Sequence, residues 1–357
     1  MSAADPGERA RVIAAAERGA AALGVEFPLV QAGMGGIAGP ALAAAVSEAG
    51  ALGTVALYKG DRALAVELIG DTARRTARTF GVNLIPEVSG RLLPEQIGAL
   101  IEAADRQLVL NSYGLPPEAE ARRVLDAGHR LLVQVGTPED AAAAAELGAH
   151  AVVLQGTEAG GHHLGTRSLR ELLAAYDQEP PVLVSGAVAD GGDLLAALRA
   201  GASGALCGTV FVTTTESAAH DDYKRAVVAA TGADTLITDR FSIGWPGRPH
   251  RVLRGPVTDP PEPPPATLIA WTTVMGVRRP VPRGSAAAPT VEAEGRIDAM
   301  ARYAGLGSGR VTAVEPAGRV VARFRDEFLA ALGGDGARSS GAPVDSSPPH
   351  SSASERT

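Results

Sequence analysis

"PVLVSGAVADGGDLLAALRAGASGALCGTVF", residues 181–211, contains one pattern twice, back to back. A short apolar run ends in a glycine-bearing loop, a helix-forming stretch follows, and "AGA" leads into the next apolar run. Runs this short and this continuously apolar are expected of strands buried on both faces, and the stretch between them is the crossover helix that parallel strands require. The same unit recurs upstream: "FPLVQAG", "ALGTVAL", "TFGVNLI", "QLVLNSY", "RLLVQVG" and "AHAVVLQG" each precede an Ala-rich helical stretch, giving eight units between residues 27 and 230. Pro40, Pro94, Pro116 and Pro138 stand where helices open, a position that tolerates the missing N–H. Ala49-Gly50, Ala127-Gly128 and Gly148-Ala149 stand where helices close. Eight parallel units in this span predict an α/β fold of the (β/α)8 TIM-barrel type. A doubly wound open sheet has the same local pattern and is the runner-up; the count of eight decides between them.

Texture divides the rest. Residues 1–26 read as an N-terminal helical extension and 27–255 as the barrel. Residues 256–330 read as a Pro-rich crossing followed by C-terminal helical segments packed on the barrel, with "VEAEGRIDAMARYAG" and "AGRVVARFRDEFLAAL" as the helices. Residues 331–357, rich in Gly, Ser and Pro, read as a disordered tail.

Composition narrows the function. Hydrophobic residues make up 45% of the 357 positions but aromatics only 4%, which suits an aliphatic core better than an aromatic binding platform. A net charge of -7 without a basic block argues against a nucleic-acid or anionic-membrane surface. The single cysteine, Cys207, rules out an internal disulfide framework and a multi-cysteine zinc site. The charged N-terminus lacks a signal-like apolar segment and no run is long enough to span a bilayer, so the expectation is a cytoplasmic protein, with a homodimer left open.

In such a barrel, chemistry sits in the loops after the strands. The loops after strands seven and eight, where barrels commonly bind phosphate, supply Gly186, Ala187, Gly208 and Thr209. Glycine lets backbone N–H groups approach phosphate oxygens, whereas a single glycine loop read alone is a tight turn. No charged residue follows, so one terminal phosphate fits better than a triphosphate, and neither a P-loop nor a G-x-G-x-x-G fingerprint is present. After strand six stands "QGTEAGGHH". Adjacent side chains on an extended segment point to opposite sides, so His162 and His163 cannot easily share a metal, and no metal site is expected. There is no nucleophile elbow. Two readings stay open for a histidine here, a proton acceptor or donor and a loop residue that bonds only backbone.

"FPLVQAGMGGIAGPALAAAVSEAGALGTVA", "FGVNL", "AVVLQGTEAGGHH", "PVLVSGAVADGGDLLAALRAGASGALCGTVFVTTTESAAHDDYK" and "GRPHRVLR", in this order between about residues 27 and 255, resemble the nitronate monooxygenase family, formerly the nitropropane dioxygenases. The resemblance implies an FMN-dependent oxidoreductase acting on a small-molecule nitronate or nitroalkane with O2. It implies FMN across the barrel mouth, with Ala32, Gly33 and Met34 under the isoalloxazine ring and Asn83 and Gln155 at the ring or ribityl edge. Gly160 and Gly161 would allow close approach, and Ser185, Gly186, Ala187, Gly208 and Thr209 would line the phosphate. His162 matches the family's catalytic base; Tyr113 is left to line the substrate pocket, and His163, a departure from the family pattern, faces away or lines the pocket with it.

Departures fall around the substrate. Gly33 stands where the family often has Pro, Gly186-Ala187 replaces a Gly-Gly pair, "HLG" follows the catalytic His, and "NSYG" replaces an aromatic-rich loop. Lys224 matches a tail motif but reads here as a residue on a solvated helix face. The alternative is an FMN-dependent enoyl-thioester (enoyl-acyl-carrier-protein) reductase using NAD(P)H, which shares the barrel and much of the motif set. A third reading is a barrel that binds FMN or another phosphate ligand without chemistry.

Overall fold

In a computed structural model, which describes residues 6–103, 105–176, 179–274 and 277–334, eight short strands run parallel. They are β1 (Leu29–Gln31), β2 (Thr54–Ala56), β3 (Gly81–Leu84), β4 (Val109–Tyr113), β5 (Arg130–Val135), β6 (Ala151–Gln155), β7 (Val182–Ser185) and β8 (Gly204–Cys207). From β2 to β8 each strand pairs with the next, and β8 pairs with β1. A parallel bridge between Val30 and Leu52, with Gln31 N–H donating to Leu52 O at 2.9 Å, joins the β1 and β2 sides. The sheet therefore closes into the eight-stranded barrel expected, and the open-sheet alternative is set aside.

Side-chain alternation sorts the core into two shells. Val30, Val109, Leu132, Val153, Leu183 and Leu206 form an inner cluster. Val82, Leu110, Leu131, Val133, Val152 and Leu154 pack outward against helices such as Leu93–Ala103 and Glu118–Asp126. The two-residue period of a strand buried on both faces accounts for both shells. The helix Pro6–Leu23 lies against this framework, and its fully buried Leu23 joins the inner cluster. Helix starts are set by side-chain caps: Asp61 accepts from Leu64 N–H, Thr137 from Asp140 N–H and Asp190 from Asp193 N–H, while Ser168 and Glu171 form a capping box.

Beyond the eighth unit the fold departs from expectation. Among the described residues of 235–311, strands alternate with loops and turns: Thr235–Thr238 and His250–Leu253 pair, and Leu268–Val274 pairs with Val277–Pro282. "VEAEGRIDAMARYAG" is not a helix; it holds a two-residue strand, Glu294–Gly295, and a 3-10 turn, Ile297–Ala299. Gly295, at φ 127°, cannot lie in a helix, and its Cα faces the Ile269–Ala270 backbone so closely that a Cβ would stand 2.5 Å from Ile269 O. "AGRVVARFRDEFLAAL" is helical and its helix runs over Ala317–Gly333, with Phe324 and Phe328 buried against the helix Gly191–Arg199. That helix includes residues 331–333 of the segment expected to be disordered; positions 335–357 lie outside the described residues. Lys224 is 6% exposed and donates to Ser217 O at 2.8 Å, so it ties down the loop before its helix and does not lie on a solvated face. Among the described residues no helix is long and apolar enough to cross a membrane.

Candidate active site

The post-strand loops and the 235–311 segment enclose one cavity of about 770 Å³ at the C-terminal mouth of the barrel. A ligand pocket typically measures roughly 300–1,000 Å³. Its floor comes from β1, where Ala32 N–H donates to Cys207 O at 2.9 Å, followed by Gly33 and Met34. A Cβ on Gly33 would lie 2.2 Å from Asn83 Cγ. Glycine there makes room for the Asn83 amide, which donates to Asn111 O at 3.0 Å and lines the cavity.

At one end lie Ser185, Gly186, Ala187, Gly208 and Thr209. The backbone N–H groups of Gly186, Ala187, Gly208 and Thr209 donate to no acceptor among the described residues. Unpaired N–H groups gathered at neighbouring strand ends are donors that an anion could satisfy, because folded chains rarely leave such donors without a partner. Gly186 has φ 139° and Ala187 has φ 58°, a left-handed conformation uncommon for alanine. Asp190 caps the following helix, Asp193 accepts from Ala189 N–H at 3.0 Å, and Arg310 pairs with both carboxylates.

The strand-six loop forms the adjoining wall, with a Cβ on Gly186 meeting Ala159 N at 3.2 Å. Gln155 spans it, with Nε2 donating to His162 O at 2.8 Å and Oε1 accepting from Leu164 N–H at 2.9 Å. Its amide thus holds the histidine segment in place. Gly160 does allow a close approach, but the partner is protein: a Cβ would stand 2.7 Å from the Ala304 carbonyl carbon. Gly161 and His162 form a two-residue strand paired with Arg251 and His250. His162 lines the cavity, and Tyr113 beside it donates from its hydroxyl to His162 O at 2.7 Å. His163 lies outside the lining: extended backbone sends its ring the other way, its Nε2 is 2.8 Å from Ala159 O, and its N–H donates to Pro249 O. The expectation of His163 in the substrate pocket is therefore corrected. Among the described residues no group of three His, Cys, Asp or Glu side chains is placed to hold a metal ion.

Burial governs the electrostatics. Desolvation pulls the His162 ring far below the usual histidine range, to about 3, with the nearby His250, His163 and Arg248 adding to the effect. Burial likewise lowers His163 and His250 and raises the Tyr113 phenol. His162 is thus held in the neutral form, and the same desolvation makes it a weaker base than an exposed imidazole.

Sequence reading missed the residues around that ring. Trp245 stacks on His162 with centroids 4.0 Å apart, and Tyr303 and His250 lie 5.3 and 4.9 Å away. "GRPHRVLR" carried His250 as part of a motif, but no local signal pairs Trp245 or Tyr303 with a residue more than 80 positions away.

Comparison with known proteins agrees with this architecture. The family model described as nitronate monooxygenase matches residues 17–327. The chain belongs to the nitronate monooxygenase family. A nitronate monooxygenase of Pseudomonas aeruginosa is 33% identical over 276 residues, covering 63% of this chain and 78% of the relative. Among solved structures, FabK from Thermotoga maritima superposes with a TM-score of 0.73 at 26% identity, covering 88% of this chain and 96% of its own. Nitroalkane oxidase from Streptomyces ansochromogenes superposes with a TM-score of 0.67 at 29% identity, covering 86% and 97%. As a family member, this chain is an oxidoreductase of the nitronate monooxygenase type.

Proposed function

We propose that this protein oxidises nitronates and nitroalkanes with O2 to a carbonyl compound and nitrite, with FMN as its resident cofactor. The observation that carries the reading is the pairing, in one cavity, of a neutral buried His162 with a cradle of four unpaired backbone N–H groups. The residues present fit a flavin mononucleotide. Gly186, Ala187, Gly208 and Thr209 would take its phosphate, and Ala32, Gly33, Met34 and Asn83 would lie along its ring. FMN, when bound, supplies the electron transfer between substrate and oxygen.

The chain's own residues bind, orient and move a proton. A nitro group acidifies the carbon that carries it, and a neutral His162 can take that proton or hold the nitronate already formed. Gln155 and Tyr113 both bond the carbonyl of His162, which fixes the backbone from which the imidazole projects. The enclosing wall of Tyr113, Trp245 and Tyr303 keeps water from the reacting carbon.

Purified protein is expected to be yellow, to release FMN on boiling and to form nitrite from a nitronate in air. A colourless protein without releasable flavin overturns the cofactor. Replacing His162 by Asn is expected to keep the flavin and to lower kcat/KM for neutral nitroalkanes by roughly 100-fold or more. The reductase alternative, supported by the shared motif set, predicts rapid anaerobic bleaching of the flavin by NADPH or NADH. The oxygenase predicts bleaching by a nitronate only.

A further inference from the structure

Neither ring nitrogen of His162 is hydrogen-bonded among the described residues, and Nε2 is buried. An imidazole that handles protons is ordinarily oriented by a hydrogen bond on its second nitrogen, which also fixes its tautomer. His162 has instead a face-to-face neighbour: the Trp245 ring, 4.0 Å away and tilted by 19°. Trp245 is 8% exposed, and its Nε1 is likewise buried and unpartnered. Stacking, not hydrogen bonding, thus holds the two rings.

Trp245 is itself held. It sits in the segment 241–249, whose ends are joined by His250: the Nε2 of that ring accepts from Phe241 N–H at 3.2 Å, so its Nδ1 carries the proton and donates to Arg248 O at 3.0 Å. Lys59 Nζ donates to Gly244 O at 2.9 Å, and Arg248 clamps Glu87 at 2.8 Å. These contacts anchor the segment to the loops after β2 and β3. Tyr113 supports the indole edge-on, with centroids 5.6 Å apart.

We propose that Trp245 is the positioning residue of His162: its indole clamps the imidazole in one plane and keeps water off it, so that the histidine meets the substrate neutral and in one orientation. The inference rests on the proposed role of His162 as the proton acceptor. The groups around His162 are Tyr113 from β4, Gln155 from β6, His163 beside it, Arg248 and His250 across the strand pair, and Tyr303 from the roof. None of these is a carboxylate, so water entering the site is what would most readily let the ring charge. Removing the indole admits that water.

The test compares Trp245→Ala, Trp245→Leu and Trp245→Phe in the flavin-loaded protein. Titration of the His162 ring by NMR reports its state without turnover, and the pH profile of kcat/KM with a neutral nitroalkane reports it in catalysis. In the Ala and Leu variants the ring is expected to titrate at least one pH unit higher than in the unaltered protein. The profile should gain an acid limb, with kcat/KM at low pH down tenfold or more and flavin content unchanged. Trp245→Phe, which retains a ring to stack, should restore both. An unchanged His162 titration in the Ala and Leu variants overturns the inference, and so does loss of flavin in both, since Trp245 stands outside the phosphate cradle. If the unaltered protein oxidises no nitronate, the proposed function falls while the NMR arm still decides the role of Trp245.

Discussion

Three buried imidazoles, His162, His163 and His250, tie the stability of the site to pH. Each is held below the ordinary histidine value, first by burial, and His162 lies at about 3. An unfolded chain titrates these rings near about 6.5, so between that pH and the folded values the unfolded state binds more protons. The contribution of neutral burial is therefore complete above the unfolded value and is lost as pH falls below it. Urea denaturation should give a midpoint that drops between about pH 7 and pH 5, and drops less in His162→Asn. A pH-independent difference between the two proteins would count against the burial account. Ala187 offers a second check at this scale. Its φ of 58° costs an L-residue about 1–2 kcal/mol, and glycine removes that cost while adding freedom to the unfolded chain. Ala187→Gly should leave stability unchanged or raise it by up to about 1 kcal/mol in the same urea experiment, and a clear loss would show that the methyl group makes contacts that matter.

Elements connect these residues to the barrel, and here the sequence was unevenly legible. β7 and β8 could be read because "VLVS" and "GALC" are short, largely apolar and end in glycine loops, and the expectation of a phosphate site followed from their position alone. The roof could not be read in the same way. "VEAEGRIDAMARYAG" has apolar residues at helical spacing, yet Gly295 packs against the neighbouring strand and tertiary pairing wins. Lys224 looked solvated because its helix is charged, but the loop carbonyl of Ser217 gives its ammonium a buried partner. The stack on His162 depends on contacts between 162, 245 and 303, and no window of sequence contains them. Gln155 shows how an element end positions a loop. Gln155→Ala removes two of the bonds that hold residues 162–164 and leaves Leu164 N–H without its acceptor. Unpaired buried groups cost about 1–3 kcal/mol each, so a destabilisation of about 2–4 kcal/mol is expected by urea melts, with kcat reduced more than flavin content. Equal losses of flavin and kcat would instead place Gln155 against the cofactor.

At the scale of the molecule, the cavity is a joint between two differently built parts. The barrel floor is close-packed aliphatic core, while the cradle and roof are loops whose polar groups await a partner: four backbone N–H groups from β7 and β8, with Gly305 N–H donating to Thr209 Oγ1 at 3.1 Å and Gly307 packed against Ala187. A ligand that fills the cradle should therefore stabilise the loops more than the strands. If FMN is that ligand, binding adds about 4 kcal/mol at a thousandfold excess over Kd, and stripping it should lower Tm accordingly. Hydrogen exchange should localise the change. Residues 186–189, 208–213 and 305–311 should exchange faster in stripped protein, while β3–β5, whose strands make no part of the cradle, should keep their protection. Reconstitution with FMN should reverse both effects, and riboflavin, which lacks the phosphate, should reverse them poorly. A Tm indifferent to FMN, or equal rescue by riboflavin, would show that the unpaired N–H groups are not its phosphate site.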